Sequence, residues 1–138
     1  MDNLDDEQWM VLRAVLDRMV PADDFPAACA NGVDRYLTQQ FAGDLAPLLP
    51  FYRAGLAALA AESLAAHETP FAALDAAAQD AVLHAIERGA VRTSWDVEPR
   101  RFVALIAQHA IEGYYSDAGN GGNATGASWR MLGFVVTA

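Results

Sequence analysis

Residues 48–66 read LLPFYRAGLAALAAESLAA, and no other stretch limits the fold of this chain as strongly. Alanine and leucine are the residues most at ease in a helix, whereas a sheet draws on β-branched and aromatic side chains. Leu48, Leu49, Tyr52, Leu56, Leu59, Ser63 and Leu64 also recur at helical spacing, so they are expected to form one stripe facing a core. Pro47 and Pro50 fall in or just before the first turn, where the missing N–H costs little. The chain is 54% apolar and 20% charged, a globular balance, and much of the apolar share is alanine. Such a composition favours helices packed at close range.

The rest of the 138 residues repeats this grammar. Trp9, Leu12, Leu16, Met19 and Val20 define a first helix, with Asp5 and Gln8 spaced as a capping box and Pro21 as its stop. The stretch PADDFPAACANG, with two prolines, two adjacent acids and a glycine, is expected to be a shaped loop. Val33, Tyr36, Leu37 and Phe41 mark a short second helix after Gly32. Thr69-Pro70 ends the long helix; Asp75 then caps a fourth, running through Val82, Ala85 and Ile86 to Gly89. Pro99 opens a fifth, whose inner face carries Phe102, Leu105, Ile106, His109 and Gly113. A glycine-rich loop, DAGNGGNATG, and an aromatic tail, SWRMLGFVV, complete the chain. The expected architecture is all-α: one domain over residues 1–138, of about five helices.

Several functions are disfavoured at once. Asp and Glu number 18 against nine Lys and Arg, a formal charge of −9, so the counterion release that drives nucleic-acid binding has no basis here. An anionic lipid surface is disfavoured for the same reason, and no apolar run reaches the ~18 residues of a membrane span. The opening MDNLDDEQ is acidic and lacks an apolar core, so no signal peptide is expected in it. Cys29 is the only cysteine, which leaves no intrachain disulfide and suggests a small buried thiol.

No catalytic constellation stands out. Gly-Asn-Gly-Gly-Asn has neither the spacing of a dinucleotide fingerprint nor the Lys-Ser/Thr of a P-loop, and it follows a helix where those motifs follow a strand. His109 and Glu112 share a helix face, but helical carboxylate-metal sites use Glu-x-x-His twice, with further glutamates. His109 is therefore expected to hydrogen-bond loop backbone, Glu112 to take N–H groups of the glycine loop, and Asp23 and Asp24 to hold a turn. His67 and His84 are expected at the surface. A rival reading brings Asp23, Asp24, His109 and Glu112 into one pocket, as a stand-alone small-molecule or metal binder. Tyr114, Tyr115, Trp129 and Phe134 flank the glycine loop and Trp95 sits in another; they suit partner anchors or a lid on the protein's own core.

Taken in order, LDRMVPADDFPAACANGVDRYL, FYRAGLAAL, FAALDAAAQDAVL, FVALIAQHAIEGYYSD, GGN and WRMLGF resemble the gluconate 2-dehydrogenase subunit 3 family, from about Leu4 to Phe134. The resemblance implies a small subunit, without catalytic residues of its own, that binds and stabilises a large FAD-dependent dehydrogenase of the glucose-methanol-choline type and helps it mature or reach its compartment. It implies that FAD, and haem c where a cytochrome c subunit joins, reside in partner subunits and not in this chain. The family's export habit implies a periplasmic complex at the inner membrane if a signal has been removed, and a cytoplasmic one otherwise. The signature residues that carry over as structural or interface positions are Asp23, Asp24, Phe25, Pro26, His109, Glu112, Tyr114, Gly121, Gly122, Asn123, Trp129 and Phe134. One departure stands out: Asp117-Ala118-Gly119-Asn120 replaces the proline and aromatic usual before Gly-Gly-Asn, so contacts there do not carry over.

Overall fold

A computed structural model describes residues 3–116, and within them every regular element is helical. The long helices are α1 (Asp6–Met19), α2 (Val33–Phe41), α3 (Leu49–His67), α4 (Ala76–Glu87) and α5 (Pro99–Tyr114). Single 3₁₀ turns at Ala46–Leu48 and Phe71–Ala73 introduce α3 and α4. The glycine-rich loop and aromatic tail, with Gly121, Gly122, Asn123, Trp129 and Phe134, lie outside the described residues.

Helix ends follow the local chemistry. Asp5 accepts from the Gln8 N–H at 2.8 Å while the Gln8 side chain accepts from the Asp5 N–H at 2.9 Å, so the capping box forms in both directions. Asp75 caps α4 through the Ala78 N–H at 2.8 Å, and Glu98 caps α5 through the Arg101 N–H at 2.7 Å. Pro99 and Pro50 sit in first turns. After α4 the chain turns left-handed at Gly89 (φ 74°), and the Ala90 N–H bonds back to the Ala85 carbonyl at 2.8 Å, a Schellman closure. After α3 the same left-handed turn falls on Glu68 (φ 53°), a residue with a Cβ.

Helix α5 touches all four other helices and forms the spine of the core. Phe102 and Ile106 of α5 are fully buried, as are Leu12, Leu16, Leu37, Leu56, Leu59 and Ile86 from the other helices. A line of aromatic contacts crosses the core: Trp9 to Phe41 (6.1 Å between ring centres), Phe41 to Tyr52 (4.8 Å), Tyr52 to Phe102 (6.0 Å) and Phe102 to Trp95 (6.0 Å). Trp95 therefore packs on this protein's own core. Where α3 crosses α5, Gly55 lies so close to Phe102 that a Cβ would stand 2.2 Å from its ring. The expected α3 stripe is correct for Leu49, Tyr52, Leu56, Leu59 and Ser63, but Leu64 is 51% exposed. Beside it Ser63 is fully buried, and its hydroxyl donates to the Thr69 carbonyl at 2.6 Å and ties the end of α3 to the following bend.

Candidate functional site

Among the described signature residues, Asp23, Asp24, Phe25 and Pro26 lie on the loop after α1, and Tyr114, at the end of α5, is bonded to that loop. Asp23 makes a local turn: its carboxylate accepts from the Phe25 N–H at 2.8 Å, and its own N–H donates to the Phe25 carbonyl at 3.0 Å. Asp24 is exposed and makes no hydrogen bond among the described residues, so the turn belongs to Asp23 and not to the pair. The loop is closed at its base by the Ala28 N–H on the Val20 carbonyl at 3.0 Å and the Cys29 N–H on the Asp17 carboxylate at 2.9 Å.

Tyr114 then pins this loop to α5. Its hydroxyl donates to the Pro26 carbonyl at 2.9 Å, while its own carbonyl accepts from the buried Asn31 amide at 3.3 Å. Beside it, Gly113 lets α2 pack close to α5, since a Cβ there would come within 2.8 Å of the Tyr36 ring. Tyr114 is itself buried at 3% exposure, so the half-buried Phe25–Pro26 stretch of the loop is tied to the core through it. The half-buried Cys29 thiol has its pKa raised, by burial first and then by the charges of Asp17 and Asp34, which makes it a poor thiolate.

His109 lies one layer deeper. It is 3% exposed, its ring stacks on Tyr52 at 5.7 Å and 9°, and its Nδ1 lies 2.5 Å from the Tyr52 hydroxyl. Burial raises the Tyr52 pKa, helped by the charge of Glu112, so the phenol keeps its proton and donates it. Burial also lowers the His109 pKa, against an opposing pull from Glu112, so the imidazole accepts at Nδ1 in its neutral form. The sequence-based expectation sent His109 to loop backbone; its Nδ1 instead serves a core tyrosine. Glu112 is exposed and accepts from the Gln108 side chain at 3.0 Å; the glycine loop expected to meet it lies outside the described residues.

These positions scatter the rival pocket. His109 faces the core, while Asp23, Asp24 and Glu112 stand in solvent. Among the described residues no three His, Cys, Asp or Glu side chains are placed to hold a metal ion. His67 and His84 are at the surface, as expected.

One residue escaped the sequence reading. Glu62, in the alanine run of α3, is 5% exposed, and its carboxylate accepts from the N–H groups of Arg92 (2.8 Å) and Thr93 (2.7 Å) and from the Thr93 hydroxyl. Burial opposes its charge. The Thr93 hydroxyl and the two N–H groups outweigh burial and hold the carboxyl below its ordinary range. The Trp95 indole N–H adds its favourable dipole, but its geometry is too loose for a hydrogen bond, and Nε1 is otherwise buried without a partner among the described residues. Glu62 thus secures the connection between α4 and α5 from the side. The signal was present as a single acid inside an apolar run.

The family described as gluconate 2-dehydrogenase subunit 3 matches residues 6–135, nearly the whole chain, and the chain belongs to that family. No curated protein and no solved structure matches it significantly.

Proposed function

From that membership we propose that this chain is the non-catalytic small subunit of a flavin-dependent sugar or polyol dehydrogenase. It binds and stabilises the large FAD-carrying subunit of the glucose-methanol-choline type and assists its maturation or export. Family membership makes the chain a small subunit of a dehydrogenase complex, and that single observation carries the proposal. The structure supports it in kind. Of the signature residues, Asp23 and Tyr114 fix the loop after α1 and its link to α5, with Asn31 beside them. A side chain committed to holding a surface in shape suits recognition by a large partner. FAD, and haem c where a cytochrome subunit is present, belong on this reading to the partner subunits, and the complex works at the periplasmic face of the inner membrane if an export signal was removed, and in the cytoplasm otherwise.

Co-expression tests it. The dehydrogenase subunit encoded beside this chain is produced with and without it, and soluble, FAD-loaded, active enzyme is measured in each case. A severalfold higher yield with the small subunit is expected; equal yield and activity would sink the proposal.

A further inference from the structure

A second surface, away from the signature residues, has no role in that account. Between the start of α1, the middle of α3 and the 3₁₀ turn Phe71–Ala73 runs an open groove of about 480 Å³. Its floor and walls are apolar, including Val11, Leu56, Ala60 and Phe71. Two of the most exposed large apolar side chains among the described residues, Met10 (59%) and Leu64 (51%), stand on its two sides. Between Arg53 and the inward-facing Glu62, α3 carries no charge at all, so its outer face lacks the polar covering usual for a surface helix. The only charged residues in the lining are Asp5 and Glu7, at one end; no basic residue is among them.

We infer that this groove seats an amphipathic helix of the partner dehydrogenase subunit, with its apolar face between Met10 and Leu64 and Lys or Arg side chains against Asp5 and Glu7. The inference rests on the small-subunit reading and names where the partner docks. A helix is the fitting occupant because the described residues offer no strand edge for an added strand, whereas Ala57 and Ala60 let another helix approach closely. The charge argues for a basic partner segment over a second copy: two chains of formal charge −9 would bring acidic rims together.

The test uses the full chain and the dehydrogenase subunit encoded beside it. Binding is measured for the wild type, for Met10→Glu/Leu64→Glu and for Glu7→Lys, with helicity and melting temperature followed in each. Both positions of the double variant are exposed, so it is expected to stay folded while binding weakens at least about tenfold. Glu7→Lys is expected to weaken binding at low salt and to approach the wild type at high salt. A photo-crosslinking residue at position 64 should then join to a basic-apolar helix of the partner. Undiminished binding by both variants would overturn the inference, as would a crosslink to a second copy or to residues 117–138 of the same chain. If even the wild-type chain forms no complex, the small-subunit reading itself falls, and the docking inference with it.

Discussion

Replacing Glu62 with glutamine keeps the side chain's shape but turns one acceptor oxygen into an N–H₂ group facing the donors of Arg92 and Thr93. With those N–H groups partly orphaned, the loss should be about 1–3 kcal/mol by chemical denaturation. Because the carboxyl is held below its ordinary pKa, its contribution is fully present above the unfolded value and fades as the pH falls through the lowered, folded one. The variant's deficit should therefore shrink in acid. Gly55 answers to packing alone. A methyl group at that position would enter the fully buried Phe102 ring, so Gly55→Ala should cost about 1–3 kcal/mol despite alanine's better helix propensity. A neutral or raised melting temperature for Gly55→Ala would contradict the close crossing of α3 and α5.

Among the elements, α3 shows how an end can be sound and still strained. Its last turn closes on Glu68 in the left-handed region, where the Cβ is crowded, whereas α4 closes on Gly89 in the same region at no such cost. Glu68→Gly should leave the fold intact and be neutral or stabilising by up to ~1 kcal/mol, read as a midpoint shift in urea. The same substitution in the middle of α3 would destabilise it. Caps were legible from residue order because a cap is a contact across three positions: Asp5, Asp75 and Pro99 all stand where local chemistry places them. Leu64 was not, because periodicity cannot say how wide the buried stripe of a nearly all-apolar helix is. Only the position of the neighbouring helices decides that.

At the scale of the whole molecule, acid should loosen the fold through its centre. His109 has its pKa lowered by burial, so as the pH falls through about 6.5 the unfolded chain takes up a proton that the folded chain resists. Stability should decline over that range and on toward the lowered folded pKa. His109→Leu should be less stable at neutral pH, with the Tyr52 hydroxyl left unpaired, yet show a flatter profile between pH 7 and 5. An unchanged slope would mean that His109 is not the group responsible. By itself the residue order determined the all-helical class and the helix ends, because each rests on interactions a few positions apart. It also sufficed for the family, whose motifs are ordered along the chain. Only the tertiary structure decided that His109 serves Tyr52, that Asp23 and not Asp24 holds the turn, that Tyr114 clasps Pro26, and that Glu62 faces Arg92 and Thr93. Except for the turn, those partners lie tens of residues apart, and which of several polar groups finds which is settled only when helices packing around α5 bring them into a common, water-poor interior. Asp23 and Asp24 are both exposed and differ by a single backbone step, and it is the path of the loop between α1 and α2 that brings an N–H group to the first and, among the described residues, none to the second.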